Sequence, residues 1–295
     1  MTRADWSVGI VGLGALGLPM AVNLHRAGFR LQVHTRSRRA ETDPLLAGAC
    51  RCDSPAAAAD NVDVLVLCVS DDSAMKDVLF GPDGAANALR PGSVVIDCST
   101  ISPKGAQQAA SQLQQIGVKY LDAPVTGGTE GARAGTLTVL VGGDAAVLEV
   151  MRPLLAVIGD SIHHIGPVGR GQQAKAVNQV LVAGSYAAVA EAIALGQRLE
   201  LPMQQLIEAL RTGAAGSWAL NHRSGAMLNG SYPLGFKMSL HRKDLVIALE
   251  AAKSVQLNMP ITALVEQLES ELIQRGHGDD DVSALHRWSS ATEKT

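Results

Sequence analysis

Aromatic residues are scarce in this chain of 295 residues, which contains three each of Phe, Tyr and Trp. A large core must therefore come from aliphatic side chains, which contribute most of the 47% hydrophobic share. Ala, Val, Leu and Ile suit helices that pack closely on a parallel sheet. The composition thus favours an α/β protein.

Cysteine is also rare, with residues at positions 50, 52, 68 and 98. The spacing of Cys50 and Cys52 is too tight for a usual zinc hook, and no second Cys or His pair lies nearby in the sequence. We therefore expect no metal site. We also expect the thiols to be reduced, as in a cytosolic protein.

Neither a large charge of one sign nor a long apolar run is present. The formal net charge of −3 gives no reason to expect nucleic acid or an anionic membrane as a partner. No uninterrupted apolar run approaches the ~20 residues that span a bilayer, and no signal peptide precedes the first predicted strand. We expect a cytoplasmic protein that is not bound to membranes.

A glycine-rich turn follows the first apolar run. Val8–Val11 is typical of a strand, and Leu18–Ala27 is typical of a helix. A strand, a glycine turn and a helix N-terminus form a cradle for the pyrophosphate of a dinucleotide. The first glycine allows the tight turn, the second lets phosphate approach the backbone, and the third lets the helix pack close. The predicted cofactor-binding residues of this turn are Gly12, Leu13, Gly14, Ala15, Leu16 and Gly17.

Short apolar runs alternate with helical patterns through the first half of the chain. This alternation is typical of a Rossmann-type, doubly wound parallel sheet. The later predicted strands lie at 31–33, 62–69, 93–97, 119–123, 137–143 and 162–165.

The pattern changes after Gly166. Residues 171–199 form a long Ala-rich segment without proline, which predicts a buried helix that joins the first domain to a second. We predict a dinucleotide-binding domain over residues 1–168 and an all-α domain for substrate binding and dimerisation over 169–295. The further predicted helices lie at 203–211, 217–228, 240–255 and 261–275.

The end of the second predicted strand indicates which dinucleotide binds. Folds that bind NAD place an acidic residue there, about 20 residues beyond the glycines, to hold the ribose hydroxyls. This chain instead has Thr35, followed by Arg36, Ser37, Arg38 and Arg39. Positive charge and forked donors suit a 2′-phosphate. We therefore predict NADPH, with Arg36 as direct partner, Thr35 as a hydroxyl donor and Ser37 or Arg38 assisting.

Two later loops leave strands of the predicted sheet. Thr100 and its neighbouring hydroxyls follow the strand at 93–97, where they either cap the next helix or contact ribose or substrate. Thr126 precedes Gly127 and Gly128, whose backbone N–H groups either form an ordinary turn or hold a carboxylate.

Two helical segments also carry polar residues. Lys175 has Asn178 and Gln179 within one helical turn. A lysine on an apolar helix either extends its amine to water or has a chemical role. Lys243 and Asp244 are adjacent on a later helix, where such a pair is usually an ordinary surface ion pair.

Five ordered motifs together resemble the β-hydroxyacid dehydrogenase family, which is also called 3-hydroxyisobutyrate dehydrogenase-like. The resemblance covers nearly the whole chain. It implies an enzyme that uses NADPH to reduce a small aldehyde acid (tartronate semialdehyde, glyoxylate or succinic semialdehyde), assembled as a homodimer or homotetramer. The motifs are Gly-Leu-Gly-Ala-Leu-Gly-Leu-Pro-Met at 12–20, Asp-Cys-Ser-Thr at 97–100, Asp-Ala-Pro-Val-Thr-Gly-Gly at 122–128, Gly-x-x-Gly-x-Gly-x-x-x-Lys-x-x-Asn at 166–178 and Lys-Asp-Leu at 243–245.

The resemblance also implies a role for each matching residue. Lys175 would be the general acid and base, and Asn178 would orient the substrate. The implied substrate-binding residues are Thr126, Gly127, Gly128, Gln179, Phe236 and Asp244. The implied further cofactor contacts are Cys68, Val69, Thr100 and Lys243.

Three positions depart from the family pattern. Thr126 replaces the usual Ser, Gln179 replaces a frequent Asn, and Ser70 replaces a common Pro. The first two concern substrate choice rather than reaction type. Three alternatives are a 3-hydroxyisobutyrate-type dehydrogenase that runs in the oxidative direction, a non-catalytic NADP-binding module and an imine reductase. Lys175 argues against the last two, since such relatives usually carry another residue there.

Overall fold

The computed structural model describes residues 6–290. The chain divides after Lys175 into two compact units. The first unit contains the sheet, and the second is helical. The predicted domain boundary at 168–169 lies just before the long helix, whereas the compact units divide inside it.

The described part of the chain contains a nine-stranded sheet, and every predicted strand is present in it. The two-residue strands β3 and β7 were not predicted, since so short a run carries no periodic signal. The strands are β1 (Ser7–Val11), β2 (Arg30–His34), β3 (Cys50–Arg51), β4 (Val64–Leu67), β5 (Val94–Asp97), β6 (Lys119–Asp122), β7 (Val125–Thr126), β8 (Thr138–Gly142) and β9 (Ser161–Gly166).

The strand order is β3-β2-β1-β4-β5-β6-β8, and the pairs from β3 to β6 are parallel. The chain reverses its winding direction between β1 and β4. The carboxyl ends of these two strands therefore flank the crevice where Rossmann folds bind dinucleotides. The predicted Rossmann-type sheet is confirmed. The structure adds an antiparallel β8, which pairs with β6 and β7 on one edge and with parallel β9 on the other.

The central strands are buried on both faces because helices cover the sheet from both sides. All four residues of β4 are buried, as expected for a covered parallel strand. Successive side chains point to opposite faces. Val64 and Val66 therefore lie in one hydrophobic cluster, and Leu65 and Leu67 lie in another.

Polar side chains begin most of the helices that cover the sheet. Ser54, Asp71, Ser102 and Asp144 each accept a hydrogen bond from a backbone N–H in the first turn of the helix that follows. Such caps satisfy N–H groups that have no partner within the helix. The helices are α1 (Gly17–Arg26), α2 (Pro55–Ala59), α3 (Asp72–Phe80), α4 (Pro103–Gln115), α5 (Gly128–Ala134) and α6 (Ala145–Ile158).

The remainder of the described chain is helical, as predicted, apart from an isolated bridge between Lys237 and Asp281. A 29-residue helix, α7 (Arg170–Arg198), starts this part of the chain. A π-helical turn at Ile273–His277 follows α11 and contains Gly276 with a φ of 94°. The other helices are α8 (Met203–Leu210), α9 (Trp218–Leu228), α10 (Met238–Ser254), α11 (Pro260–Leu272) and α12 (His286–Ser290).

Helix α7 is long and apolar enough to cross a membrane when judged by length and composition alone. Its most apolar 18-residue window has a mean hydropathy of 1.4, and 44% of that window is buried inside the protein. A core helix of a soluble protein can meet the same criterion. The helix contains no uninterrupted apolar run of that length, because polar residues interrupt it at Asn178, Gln179, Ser185 and Glu191.

Candidate active site

The glycine turn between β1 and α1 is tightly closed at two glycines and open at the third. Gly12 has a φ of 100°, and a Cβ there would collide with the carbonyl of Cys68. A Cβ at Gly17 would collide with the carbonyl of Gly12. No atom lies within 4 Å of the place where a Cβ of Gly14 would stand. The turn, the open position and the close approach of the helix all occur where the sequence predicts them.

This open cradle fits the pyrophosphate of a dinucleotide. Gly14 and Ala15 are exposed, Leu13 is buried, and Leu16 is half-buried at the start of α1. Helix N-termini present backbone N–H groups that lack partners within the helix, and these groups bind phosphate. Leu13 belongs to the hydrophobic core, so it can offer a phosphate only its backbone.

The carboxyl end of β4 lies next to this turn, because β4 pairs with β1. Cys68 and Val69 are both half-buried there. The N–H of Val69 donates to Ser99 Oγ at 2.9 Å, and the N–H of Ser99 donates to Asp97 Oδ1 at 2.9 Å. Ser99 therefore connects the ends of β4 and β5 instead of facing a ligand. Thr100, which follows it, is half-buried.

The loop after β2 is organised by a buried carboxylate that sequence analysis missed. Glu41 is only 4% exposed. It accepts the N–H of Thr35 at 2.8 Å and pairs with Arg38 Nε at 2.9 Å. Arg38 also donates to the carbonyl of Cys52 and to Asp53, both at 2.9 Å. Arg38 therefore stabilises the loop itself, and its predicted assisting role at the phosphate stays a prediction.

Arg36 and Ser37 lie at the exposed turn of this loop, and Arg39 is exposed as well. The predicted roles of Arg36 and Ser37 toward a 2′-phosphate stay predictions. The signal for Glu41 was present in the sequence, since an acid three residues after an arginine is a helical pairing distance. Nothing in the sequence indicated that this acid would be buried.

The predicted carboxylate loop is a turn that requires both of its glycines. Thr126 ends β7 and is half-buried. Gly127 and Gly128 have φ values of 130° and 67°, which L side chains rarely adopt. A Cβ at Gly127 would also stand 3.2 Å from the side chain of Leu137. Backbone turns of this kind can direct successive N–H groups toward a bound anion.

Lys175 is buried instead of extending its amine to water. Its side chain lies on α7, the residue is 7% exposed, and Nζ donates to the carbonyl of Val125 at 2.8 Å. A buried amine is costly unless it is hydrogen-bonded, and this bond supplies a partner. Val125 directly precedes Thr126, so the amine is held beside the first residue of the predicted carboxylate loop.

The start of α7 is attached to the sheet by two buried side chains that sequence analysis did not single out. Asp122 accepts the N–H of Gly169 at 2.8 Å and the N–H of Gln172 at 2.9 Å. The amide of Gln172 donates to the carbonyl of Ser99 and accepts the N–H of Ile101. Burial raises the pKa of Asp122 to about 6, although the two N–H donors oppose the shift.

A second buried carboxylate, Asp97, lies opposite Asp122 in the register of β5 and β6. It accepts the hydroxyl of Tyr120 at 2.9 Å as well as the N–H of Ser99. Burial raises the pKa of Asp97, and burial raises the pKa of Tyr120 well above its usual value. The carboxyl ends of these strands are thus held by buried hydrogen bonds.

In the helical unit, four predicted site residues form one connected chain. Asn178 Nδ2 donates to Gln179 Oε1, and Gln179 Nε2 donates to Asp244 Oδ2, each at 2.7 Å. Lys243 Nζ lies 3.0 Å from Asp244 Oδ1. Gln179 and Asp244 are 1% and 3% exposed, so the surface-pair alternative for Lys243 and Asp244 is wrong. Gln179 uses both ends of its amide to hold neighbouring side chains.

Phe236 is held by another residue that sequence analysis missed. Asp281 Oδ2 accepts the N–H groups of Gly235 and Phe236 at 2.9 and 2.8 Å. The ring of Phe236 meets His241 edge-on, with centroids 5.5 Å apart. His241 in turn pairs with Glu269 at 2.6 Å, and both side chains are fully buried. The position of Phe236 therefore depends on buried polar contacts.

Two of the four cysteines, Cys52 and Cys98, are buried thiols with raised pKa values. Among residues 6–290, no group of three or more His, Cys, Asp and Glu side chains could hold a metal ion. The cysteines are free thiols. Burial raises the pKa of Cys52 to about 11 and raises the pKa of Cys98 well above its usual value. A buried thiol with a raised pKa is a poor nucleophile.

The chain matches two family descriptions in tandem. Residues 7–166 match the NAD binding domain of 6-phosphogluconate dehydrogenase, and residues 169–289 match the NAD-binding region of NADP-dependent 3-hydroxyisobutyrate dehydrogenase. The 2-hydroxy-3-oxopropionate reductase of Escherichia coli is 38% identical over 278 residues, which cover 94% of this chain and 95% of that protein. The chain belongs to the β-hydroxyacid dehydrogenase family.

Other proteins similar to this β-hydroxyacid dehydrogenase differ in their named activities. The NAD-dependent L-serine dehydrogenase of Pseudomonas aeruginosa is 37% identical over 293 residues, which cover 97% of this chain and 98% of that one. The crystal structure of 3-hydroxyisobutyrate dehydrogenase from Salmonella typhimurium superposes with a TM-score of 0.89 at 32% identity, covering 96% of this chain and all of that one. The protein is thus an NAD(P)-dependent oxidoreductase that acts on CH–OH groups of hydroxy acids.

Proposed function

We propose that this β-hydroxyacid dehydrogenase reduces a small aldehyde acid to the corresponding hydroxy acid with NADPH, and that Lys175 is the general acid. The observation that carries the proposal is the buried amine of Lys175, hydrogen-bonded to the carbonyl of Val125. This position lies beside a loop that has a hydroxyl and two glycines, Thr126 to Gly128.

The residues of the chain have separate tasks in this reaction. NADPH, when bound, supplies the hydride. Lys175 Nζ donates a proton to the carbonyl oxygen as negative charge develops on it, and takes the proton back in the reverse direction. The bond to Val125 fixes the amine in place. The Thr126 hydroxyl and the N–H groups of Gly127 and Gly128 hold the carboxylate of the substrate, and Asn178 orients the reacting group.

The choice of NADPH over NADH rests on the loop after β2. Thr35 occupies the place where an acid would hold ribose hydroxyls, and the nearby Glu41 is buried against Thr35 and Arg38. Arg36 stays exposed at the turn and suits a 2′-phosphate. One similar protein is named NAD-dependent, so the preference has to be measured.

The proposed substrates are tartronate semialdehyde, glyoxylate and succinic semialdehyde. The Escherichia coli relative is named for 2-hydroxy-3-oxopropionate, which is tartronate semialdehyde. Compared with a serine, Thr126 adds a methyl group that reduces the space for a substrate beside the loop. The smaller space favours short acids. Other relatives are named dehydrogenases, and oxidation of a hydroxy acid is therefore the second candidate. A cytoplasmic homodimer or homotetramer completes the proposal.

The experiment that tests the proposal is an assay of purified protein with each of the three aldehyde acids, with NADPH and with NADH. We expect NADPH consumption with at least one acid and a higher kcat/KM with NADPH than with NADH. The reverse assay uses 3-hydroxyisobutyrate and L-serine with NADP+ and NAD+. Turnover in the reverse assay alone would show that the enzyme oxidises a hydroxy acid, contrary to the proposed direction. Turnover of a cyclic imine alone would show that the enzyme is an imine reductase, contrary to the proposed reaction.

A further inference from the structure

We propose that Asp122 is a positioning residue for Lys175, and that the enzyme requires the negative charge of Asp122 to hold the proton donor in place. The inference rests on the proposed function, in which Lys175 donates the proton. Asp122 lies at the end of β6 and reaches α7 through two hydrogen bonds, to the backbone N–H groups of Gly169 and Gln172.

Two contacts join the same strand segment to the same helix. Asp122 holds Gln172, and three residues further along both segments, Val125 accepts the amine of Lys175 at 2.8 Å. Both contacts lie within one turn at the start of α7. A shift of this turn against the strand therefore moves the amine relative to the loop that begins at Thr126. Displacement of a catalytic group by about 1 Å can lower a rate by about 10²-fold.

The packing around the carboxylate leaves no space for a side chain at two neighbouring positions. A Cβ at Gly142, which faces Asp122 across β6 and β8, would collide with Asp122 Oδ1. A Cβ at Gly171 would stand 2.8 Å from Asp122 Oδ2 and would collide with the carbonyl of Leu140. The carboxylate and the first turn of α7 therefore fit together only because both of these residues are glycines.

The surroundings of Asp122 determine the pH at which its carboxyl ionises. The neighbouring strand β5 contributes the buried carboxyl of Asp97, and β6 itself contributes Tyr120, whose hydroxyl is bonded to Asp97. Helix α7 contributes its N-terminal N–H groups, which favour the anion. Burial exceeds this effect and raises the pKa of Asp122 to about 6. Protonation converts one oxygen into a hydroxyl, which is a weaker acceptor for an N–H than a carboxylate oxygen.

The activity of the enzyme should therefore depend on the ionisation of Asp122. Below pH 6 protonation weakens one of the two bonds of Asp122 to Gly169 and Gln172, and kcat for the aldehyde acid falls as the amine loses its fixed position. The direction is opposite to that expected if only proton supply limited the rate, since more acid would then speed the reduction. Binding of NADPH should be little affected, because Asp122 contacts only backbone at the start of α7.

The test compares the variant Asp122→Asn with a matched control, Asp144→Asn. Asp144 also caps a helix, accepting the N–H of Ala146 at 2.7 Å, but α6 carries none of the proposed site residues. Steady-state kinetics between pH 5 and 8 gives kcat and KM for each protein. Amide hydrogen exchange followed by mass spectrometry gives the protection of residues 169–175 without any cofactor or substrate present.

We expect the wild-type enzyme to lose kcat below pH 6 and to lose protection of residues 169–175 over the same pH range, after correction for intrinsic exchange. Asp122→Asn should have a kcat lower by about 10²-fold, no acidic limb between pH 5 and 7, and weak protection at every pH. Its KM for NADPH should change less than threefold. Asp144→Asn should keep the wild-type limb and the wild-type protection of residues 169–175.

A normal kcat in Asp122→Asn, or a reduced kcat with unchanged protection of residues 169–175, would overturn the inference. If the variant does not fold, the wild-type exchange measurement decides: protection that stays constant from pH 8 to pH 5 also overturns it. Absence of turnover by the wild-type enzyme with every aldehyde acid is a separate result, because it refutes the proposed function while the exchange measurement still reports on the contact of Asp122 with α7.

Discussion

At the scale of single residues, the site depends on polar groups that are buried away from water. The amine of Lys175 is buried against one carbonyl, and the carboxylate of Glu41 is buried against Thr35 and Arg38. Burying such groups is costly unless hydrogen bonds compensate. Single substitutions should therefore separate their roles.

Replacement of Lys175 by Ala should lower kcat for the aldehyde acid by about 10²–10⁴-fold, the usual contribution of general acid catalysis. Affinity for NADPH should be largely kept. Steady-state kinetics measures the first quantity, and fluorescence titration with NADPH measures the second. Lys104→Ala, which removes an exposed lysine from α4, is the matched control. Near-normal turnover by Lys175→Ala would rule out the assigned role.

Replacement of Arg36 by Asp should lower the preference for NADPH over NADH by about 10–100-fold. A hydrogen bond to a charged group contributes about 1.5–3 kcal/mol, and the new carboxylate would also repel a phosphate. The measurement is the ratio of the two kcat/KM values. Arg39→Asp makes the same charge change at another exposed position of the loop. An equal loss in both variants would indicate net charge instead of direct contact.

At the scale of elements, the space around each glycine of the turn at 12–17 determines whether a side chain fits there. The same substitution, Gly to Ala, should have opposite consequences within one turn. At Gly12 a Cβ would meet the carbonyl of Cys68 and φ is 100°, so the fold itself should be destabilised. At Gly14 the space is open, so the fold should tolerate the change.

Gly14→Ala should therefore keep the thermal unfolding midpoint within a few degrees and weaken NADPH binding by about tenfold or more, since the methyl group enters the predicted phosphate cradle. Calorimetry measures both quantities. Gly225→Ala in α9 is the control, because a Cβ there also meets no atom within 4 Å. Unchanged NADPH affinity in Gly14→Ala would show that the cofactor does not approach this turn.

In the helical unit, Gln179 connects α7 to α10 through Asp244. Gln179→Asn shortens the side chain by one methylene, so it can no longer join Asn178 and Asp244. A buried polar group left without its partner costs about 1–3 kcal/mol. We expect kcat/KM for the aldehyde acid to fall by about tenfold or more, with KM for NADPH less affected. Gln173→Asn, at an exposed position of the same helix, should behave as wild type. Equal kinetics in the two variants would remove Gln179 from the site.

At the scale of the whole molecule, the buried carboxyl of Asp122 links stability to pH. Its folded pKa of about 6 lies above its ordinary value of 3.8. Because global unfolding returns Asp122 to water, the stabilising contribution of its burial is fully present below pH 3.8 and is lost as the pH rises through 6. The hydrogen bonds to the start of α7 act in the opposite direction, since they favour the ionised form. The free energy of unfolding of the wild type, relative to Asp122→Asn, should fall by up to about 3 kcal/mol between pH 4 and pH 7.5.

Urea denaturation of both proteins at several pH values measures this difference. Subtracting the variant removes the contributions of other titrating groups, among them Glu269, whose pKa is also raised by burial. Asp144→Asn again serves as the control and should show no such trend. A difference that is constant with pH would mean that Asp122 is ionised in the folded protein throughout this range.

Local patterns in the chain predicted much of this architecture. The strands from β1 to β9 that exceed two residues, the long helix α7 and the helical remainder were all evident from apolar periodicity. The three glycines of the turn at 12–17 were assigned separate roles because tight turns and phosphate contacts demand small residues. The antiparallel direction of β8 was not evident, since the apolar sequence of a buried strand is the same whether it runs parallel or antiparallel to its neighbour.

The sequence by itself determined which elements form and which kinds of chemical group are present, because backbone propensity and side-chain chemistry are local properties. Only the tertiary structure decided which polar groups meet. Asp122 is 47 residues from Gly169, and Gln179 is 65 residues from Asp244. These contacts depend on which strand ends and helix faces come together when the core is buried, and no local pattern encodes that. Arg38 shows the same limit, since its ion pair with the buried Glu41 was not evident from the sequence.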